Sequence, residues 1–275
     1  MSVSYNLEFY IKRQLLSKEL LEAIFSALQK NGMKYSYFYS NANDQDYIFE
    51  ARNIHARDHS YIREAENKLS DEEKIKVILA DTDTREFGLV FGIYNQEYDA
   101  SMAIDNNGYT RMGEFTREAL KGCLYGSITV RWDEMHDLEY RTEQYAKTIE
   151  IIPDLYEAIH PIYGYGCDEE LMEERFYNLR PTEENIAGNG PKDLLDINIW
   201  SPETVSKLDL SKLKRETSLS IEDMKDGGAF IHISPEDYAS GDRRELIKAE
   251  QVLGWYRRDR TEPRIYCPSL KANGV

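Results

Sequence analysis

The sequence predicts an α+β fold with a mainly antiparallel sheet and helices packed on one face. Short runs in which apolar and polar residues alternate recur along the chain, which is the pattern of half-buried strands. Longer amphipathic stretches fall between groups of these runs rather than after every one, which is typical of α+β proteins. The turn residues DNNG at 105–108 directly follow one such run and favour a tight connection between antiparallel strands.

The N-terminal segment predicts a strand, a helix and a second strand. Apolar and polar residues alternate over 5–11, so one face of this strand is expected to be buried and the other to be polar. Ser17 is a typical helix N-cap, an apolar stripe at helical spacing follows it, and Asn31-Gly32 is a typical helix end. The run KYSYFYS at 34–40 predicts the second strand.

The central part predicts an antiparallel meander followed by helices. Residues 42–73 are polar, and we expect a loop there with a short helix around 59–70. Strands are then predicted at 74–80, 86–94, 98–104 and 127–132, and helices at 114–124 and 136–158. Pro153 has no amide hydrogen, so we expect it to kink or divide the long helix.

A linker is predicted after a further helix at 169–179. Residues 181–194 combine proline, glycine, asparagine and acids, which is typical of a connecting segment. This linker would separate an α+β part at 1–180 from a smaller α+β part at 195–275. The two parts would be separate domains or would pack together as one.

The C-terminal part repeats the order of the N-terminal segment. A strand at 195–200 precedes a helix that opens with Ser201 as N-cap and proline at its first position. Strands at 217–223 and 229–234 flank the turn residues DGG, and an amphipathic helix follows at 242–254. The fold is therefore expected to contain two similar β-α-β halves.

Charge is the strongest clue to the partner. The chain has 34 basic and 50 acidic residues, a net charge of −16, and residues 151–200 contribute 11 acids against three bases. Such a surface repels nucleic acid and anionic lipid and favours a protein partner with a basic surface. No apolar stretch of about 18 residues and no signal-peptide pattern occurs. The three cysteines form no disulfide framework, so we expect a cytoplasmic protein.

The residues Asp81-Thr82-Asp83-Thr84 are the feature closest to a catalytic motif. They resemble the Asp-x-Asp-x-Thr motif of haloacid dehalogenase phosphatases, but Arg85 stands where that motif has threonine or valine. The next strand also follows at once, which leaves no room for a crossover helix. A polar turn explains this motif better, and the pair His55 and His59 lacks a third metal ligand. The sequence therefore predicts no catalytic residue, metal site or cofactor.

The densest aromatic and glycine cluster in the chain is IHPIYGYGCDEE at 159–170. We expect a tight turn at Gly164-Tyr165-Gly166 and a partner-binding surface around it. Aromatic side chains supply binding energy at interfaces, and carboxylates steer the encounter with a basic protein. The predicted contact residues are Tyr163, Tyr165, Asp168, Glu169, Glu170 and Glu173. The arginines of the basic tail after residue 256 are expected to pair with acidic surface, within the molecule or across a dimer.

Two segments resemble parts of prokaryotic immunity-type proteins, which are small cytoplasmic inhibitors of secreted toxins. The segments are LYEAIHPIYGYGCDE at 155–169, and NIWSPETVSKLDLSKL with DMKDGGAFIHIS in the C-terminal part, about 60 residues in all. The resemblance implies an α+β scaffold and a non-enzymatic inhibitor of a toxin or basic enzyme. Two alternatives stay open: a metal-dependent hydrolase that uses Asp81 and Asp83, and a structural or self-associating protein.

Overall fold

The computed structural model describes residues 3–12, 16–40, 70, 72–73, 75–76, 79, 88–95, 97–105, 123–132, 138–168 and 194–255. Within these residues nine strands form one antiparallel sheet. The strands are β1 (Val3–Ile11), β2 (Lys34–Ser40), β3 (Gly88–Tyr94), β4 (Asp99–Asp105), β5 (Leu124–Trp132), β6 (Pro161–Asp168), β7 (Ile197–Trp200), β8 (Ser220–Asp223) and β9 (Ala229–His232). The helices are α1 (Lys18–Lys30), α2 (Leu138–Ile159), α3 (Pro202–Val205), α4 (Leu210–Glu216), α5 (Pro235–Ser240) and α6 (Arg244–Val252). The predicted α+β class is confirmed.

Several connections that contain helices join strands that are not neighbours in the sheet. The strand order is β2-β3-β4-β5-β1-β6-β7-β9-β8, and every neighbouring pair is antiparallel. Strands β5 and β6, joined through α2, therefore run parallel with β1 inserted between them. Likewise, β7 and β8 run parallel to each other, with β9 between them. Because β6 pairs with β7, the sheet continues from one predicted part into the other, and the division at 181–194 stays a prediction.

Capping residues set the bounds of helix α1 as the sequence predicts. The Ser17 Oγ accepts a 3.2 Å hydrogen bond from the Leu20 amide. The helix ends at Asn31, and the following Gly32 has a φ of 69°, a conformation that favours glycine. The apolar stripe of α1 is buried, and the helix packs against α2.

Helix α2 continues past Pro153, so the expectation that this proline divides the helix is wrong. Ile151, Ile152 and Leu155, on both sides of the proline, are each at most 3% exposed. Burying such side chains contributes about 1.5–3 kcal/mol each, which together exceeds the cost of about 3 kcal/mol for a proline inside a helix.

The strand predicted at 74–80 is also wrong, because the described residues between 72 and 79 are helical. Ser70 and Glu73 form a reciprocal cap. The Ser70 amide donates to Glu73 Oε2 at 2.8 Å, and the Glu73 amide donates to Ser70 Oγ at 3.3 Å. This pattern, Ser-x-x-Glu, is a helix-start signal that outweighs the short apolar run after it.

Glycines in the central strands leave room for groups of the neighbouring strands. Odd-numbered residues of β1 face α2, where the Tyr5 and Tyr145 ring centroids lie 5.5 Å apart. A Cβ at Gly126 would overlap the Phe9 ring, and one at Gly164 would lie 2.9 Å from the Glu8 carbonyl oxygen. Gly164 and Gly166 lie within β6, so the tight turn predicted there is wrong.

The opposite face of the sheet is also covered near its centre. Glu8 and Tyr10, on the face of β1 that was expected to be polar, are 8% and 0% exposed. Further along this face, the Trp200 ring of β7 packs against the ring of Trp255, which follows α6, with the ring centroids 5.8 Å apart. Among the described helices, none is long and apolar enough to cross a membrane.

Candidate functional site

Strand β6 holds three of the predicted contact residues and places them on opposite faces of the sheet. Tyr163 and Tyr165 point to one face and Asp168 to the other, because side chains alternate along a strand. Each face presents a buried polar cluster.

We name the first the Glu8–tyrosine cluster, formed by Glu8, Tyr10, Tyr125, Tyr163 and Tyr165. Glu8 lies opposite Tyr165, and Tyr10 lies between Tyr125 on β5 and Tyr163 on β6. The Tyr165 hydroxyl donates to Glu8 Oε2 at 2.6 Å, and the Tyr10 hydroxyl donates to the same oxygen at 3.3 Å. The rings of Tyr10 and Tyr163 stack at 6.1 Å.

Burial controls the protonation of this cluster. Burial raises the pKa of Glu8 above its ordinary value, although hydrogen bonds from Tyr165, Tyr125 and Tyr10 act in the opposite direction. Burial and the Glu8 charge raise the pKa of Tyr165 well above 10, so its hydroxyl stays a donor at neutral pH. With Glu8 at 8% exposure and Tyr165 at 1%, the cluster is buried and stabilises the centre of the sheet.

The second cluster, which we name the Arg243 network, contains Asp168, Asp196, Tyr238 and Arg243. The Arg243 guanidinium contacts both oxygens of the buried Asp196 carboxylate. Its Nε lies 2.6 Å from Oδ1, and its Nη2 donates to Oδ2 at 3.0 Å. Its Cζ also lies 5.7 Å from the centroid of the Tyr238 ring. The Tyr238 hydroxyl donates to Asp168 Oδ1 at 3.0 Å. The network therefore joins β6, the residues before β7, and helices α5 and α6.

Asp168 is the titratable member of the Arg243 network near neutral pH. Burial and the negative charge of Asp196 raise the pKa of Asp168 to about 7, against the lowering effects of Arg243, the Tyr238 hydrogen bond and Arg141. Two carboxylates close to one arginine cannot both ionise at low cost, so Asp168 gains its negative charge only as the pH passes neutrality.

Tyrosine rings of α2 and α5 enclose the Arg243 network. Tyr145 stacks on Tyr238 at a centroid distance of 4.3 Å, and its hydroxyl donates to the backbone oxygens of Asp196 at 3.2 Å and Ile233 at 3.0 Å. Tyr5 meets both rings edge to face. These rings pack around Tyr238, whose hydroxyl binds Asp168.

A third, more exposed cluster joins the end of α2 to the β8–β9 turn. Asp226 accepts hydrogen bonds from the Tyr156 hydroxyl at 3.1 Å and from the Gly228 amide at 2.8 Å, and His160 Nδ1 lies 3.4 Å from Asp226 Oδ2. His160 has a φ of 47°, which is unusual for a residue with a side chain. A Cβ at Gly228 would overlap the Tyr156 hydroxyl, so the predicted Asp-Gly-Gly turn also has a packing role.

The structure describes three of the six predicted contact residues. Tyr163 and Tyr165 are each 1% exposed, so a partner would reach their rings only after neighbouring groups moved. The other residues named in the sequence analysis lie outside the described residues: Glu169, Glu170, Glu173, Asp81, Asp83, His55, His59 and the arginines of the tail. Within the described ranges no group of histidine, cysteine or acidic residues could hold a metal ion.

Sequence reasoning missed Glu8, Asp196 and Arg243. Glu8 lies in a strand whose even-numbered face was taken as polar, and the signal that it is buried was the neighbouring Tyr10 on the same face. Asp196 follows two leucines at the start of a strand, and an acid in that position invites a search for a basic partner. Nothing in the sequence singles out Arg243 from its neighbour Arg244.

The acids described between residues 151 and 200 all have partners within the fold. Asp154 binds Lys30 at 2.5 Å, and Glu157 accepts a hydrogen bond from the Lys225 amide at 3.0 Å. Asp168 and Asp196 belong to the Arg243 network. The seven other acids of this stretch lie at 169–193, which we name the acidic segment, together with all three of its bases.

Comparisons with known proteins include a similarity to a solved structure. No protein-family model matches the chain, and no curated protein is similar to it in sequence. Among solved structures, the fold is similar to that of the Pseudomonas aeruginosa T6SS protein PA0821, with a TM-score of 0.47 and 12% sequence identity. The similarity covers 93% of this chain and 73% of that chain.

Proposed function

We propose that this is a non-enzymatic, cytoplasmic protein that binds a protein partner with a basic surface and acts as an immunity-type inhibitor of a toxin or basic enzyme. The observation that carries the proposal is the distribution of paired acids. The described acids between 151 and 200 are bound by groups of the fold itself. The other acids of this stretch lie in the acidic segment, seven against three bases, and we expect these carboxylates to be the ones that meet the partner.

Electrostatics explains how such a segment would work. Clustered carboxylates attract a basic protein over distances near the Debye length of about 10 Å and raise the association rate more than the final affinity. Glu169, Glu170 and Glu173, which directly follow β6, are the residues that we expect to steer the encounter. Asp168 would act from within the Arg243 network rather than as a free surface charge.

The buried clusters support a function carried by a surface rather than by a catalytic pocket. Glu8 is bound by tyrosine hydroxyls, and Asp196 is bound by Arg243 on both oxygens. Both carboxylates are therefore already bound by groups of the fold itself. Their contribution is to the stability of the sheet and of the helices beside it.

Affinity capture with matched charge variants tests the proposal. The test variant is Glu169→Lys, Glu170→Lys and Glu173→Lys. The control variant is Glu22→Lys, Glu143→Lys and Glu150→Lys, at exposed helix positions of α1 and α2. Both variants change the net charge from −16 to −10. The control also removes the exposed ion pairs of Glu22 with Lys18 and of Glu150 with Lys147, which contribute little to stability. Each chain is immobilised and incubated with a lysate, and captured proteins are identified by mass spectrometry and purified.

We expect the wild-type chain and the control to capture the same basic protein. The test variant should associate with the purified protein about tenfold more slowly, and the difference should shrink as salt is added. Expression of the captured protein should arrest growth, and co-expression of this chain should restore it. Equal association rates for the two variants would refute the role of the acidic segment. Capture of only a second copy of this chain would indicate a self-associating protein instead.

A further inference from the structure

The pair Asn31-Gly32, which ends helix α1, has the sequence that is most prone to spontaneous deamidation. In this reaction the backbone nitrogen of the glycine attacks the side-chain carbon of the asparagine, and a glycine does not hinder the attack because it has no Cβ. Gly32 is exposed, and nothing lies within 4 Å of the position that a Cβ would take. Steric protection is therefore absent, and the reactivity depends on how firmly the Asn31 side chain is held.

Asp154 of helix α2 holds the Asn31 side chain. Asn31 Nδ2 donates to Asp154 Oδ2 at 2.9 Å and to the Ala27 carbonyl oxygen at 2.9 Å. Both partners are acceptors, so the amide nitrogen rather than the amide oxygen faces them. Burial acts to raise the pKa of Asp154, but hydrogen bonds from Lys30 and Asn31 hold it below its ordinary value. The acceptor is therefore ionised at neutral pH.

The attacking nitrogen is held as well. The Gly32 amide donates to the Gln29 carbonyl oxygen at 2.9 Å, within the turn that ends α1. Attack on Asn31 Cγ requires that this amide is released and deprotonated and that the Asn31 side chain rotates away from Asp154. The reaction therefore proceeds through the small population of molecules in which this helix end is locally open.

We propose that Asn31 is a deamidation site and that Asp154 slows the reaction by holding the side-chain amide away from the Gly32 nitrogen. The reaction consumes only water. The Gly32 nitrogen loses its proton to solvent and forms a bond to Asn31 Cγ. The bond from Cγ to Nδ2 breaks, and Nδ2 takes a proton from solvent and leaves as ammonia. Water then opens the succinimide ring and gives aspartate or isoaspartate at position 31.

The product loosens the contact between α1 and α2. A carboxylate at position 31 has no N–H to donate to Asp154 or to the Ala27 carbonyl oxygen, and it places a second negative charge beside Asp154. The new charge also lies at the negative end of the α1 dipole. Deamidation thus replaces an attraction between the two helices by a repulsion, and it cannot be reversed by water. The inference does not depend on the proposed function.

Peptide mapping by mass spectrometry measures the deamidation rate at Asn31 in the full chain. We expect the native wild type to react at least about 100-fold more slowly than the same chain unfolded in guanidinium chloride, because the helix end must open first. Asp154→Ala should raise the native rate about tenfold, the factor expected for a hydrogen bond to a charged group. The control Glu150→Ala removes another acid of α2, which pairs with Lys147 at the surface, and should leave the rate within about twofold.

The chain also supplies reference sites for the same digest. Three other Asn-Gly pairs occur in the sequence, at 107–108, 189–190 and 273–274. Asp154→Ala should leave their rates within about twofold, so a rise confined to Asn31 excludes general unfolding as its cause. Equal rates at Asn31 in the native wild type and in native Asp154→Ala would overturn the proposal. A native wild-type rate equal to that of the unfolded chain would overturn it as well.

A more conservative variant serves if Asp154→Ala does not fold. Asp154→Asn keeps an oxygen that can accept from Asn31 but removes the charge, so it should raise the rate about threefold. An unchanged rate in this variant would then overturn the proposal.

The variant Asn31→Asp carries the product side chain and tests the consequence for the helices. It should raise the equilibrium constant of unfolding at least about fivefold in the wild-type background and by less in the Asp154→Asn background, where the repulsion is absent. Equal effects in both backgrounds would contradict the role of Asp154.

Discussion

The Tyr165 hydroxyl donates a 2.6 Å hydrogen bond to the Glu8 carboxylate, across two neighbouring strands and a sequence separation of 157 residues. The bond joins the first strand of the sheet to the strand that leads into the acidic segment. Its removal should cost more than that of a hydroxyl that is only packed, because a buried carboxylate is left with fewer donors.

Tyr165→Phe should therefore lower the free energy of unfolding by about 1.5–3 kcal/mol, the range for a hydrogen bond to a charged group. Tyr163→Phe is the matched control. It lies in the same cluster and is equally buried, but its hydroxyl makes no hydrogen bond to a residue that the structure describes. The control should change stability by less than about 1 kcal/mol in urea denaturation. Equal losses of unfolding free energy in both variants would show that the hydrogen bond to Glu8 does not add to the stability.

Asp168 should make the stability of the protein depend on pH. Burial raises the pKa of Asp168 to about 7, above the value of about 3.9 in an unfolded chain, so the native state binds the proton more tightly. The stabilisation is fully present below about pH 4 and is lost as the pH rises through about 7.

Asp168→Asn, which keeps the hydrogen-bonding shape without the titration, isolates this effect. The unfolding free energy of the variant minus that of the wild type should increase between pH 4 and pH 8, by about 1.4 kcal/mol for each pKa unit of the shift at most. Urea denaturation at one-unit pH intervals measures it. A flat difference would mean that Asp168 titrates at its ordinary value.

Gly228→Ala should destabilise the protein through packing. The new Cβ would overlap the Tyr156 hydroxyl and lie 2.6 Å from the Trp200 carbonyl oxygen, and overpacking of this kind costs about 1–3 kcal/mol. Gly254→Ala is the comparison. It has a φ of 73° and nothing within 4 Å of its Cβ, so backbone strain of about 1–2 kcal/mol is its only cost.

A double variant separates steric overlap from other causes at Gly228. Tyr156→Phe removes the overlapped oxygen, so Gly228→Ala should cost less in that background than in the wild type, by an interaction energy of about 0.5 kcal/mol or more. Additive losses in thermal denaturation would place the damage at the Trp200 carbonyl oxygen or at the Tyr156 ring carbon Cζ, which lies 2.8 Å from the new Cβ.

The N-cap of α1 should contribute to the free energy of unfolding by the amount that is usual for a serine N-cap. Ser17→Ala removes the acceptor for the Leu20 amide, and we expect a loss of about 1 kcal/mol in unfolding free energy. Ser17→Asp keeps an acceptor and adds a negative charge at the positive end of the helix dipole, so it should retain most of the stability. A loss in Ser17→Asp as large as that in Ser17→Ala would argue against the capping role.

Local patterns in the sequence were sufficient for most elements of the fold. The alternation in β1, the Ser17 cap, the Asn31-Gly32 stop and the turn at 226–228 all depend on residues close to each other in the chain. The helical residues after Ser70 show the limit of such reading. There the short apolar run suggested a strand, although the Ser70–Glu73 cap signalled a helix just before it.

The candidate site could be predicted only in part for the same physical reason. The sequence by itself determined the α+β class and the acidic stretch, because these follow from composition and local periodicity. Only the tertiary structure decided that the Tyr165 hydroxyl donates to Glu8 and that Arg243 rather than Arg244 binds Asp196. It also decided that Asp168 lies on the opposite face of β6 from Tyr165. These pairings join residues far apart in the chain, and burial sets their strength, which no local pattern encodes.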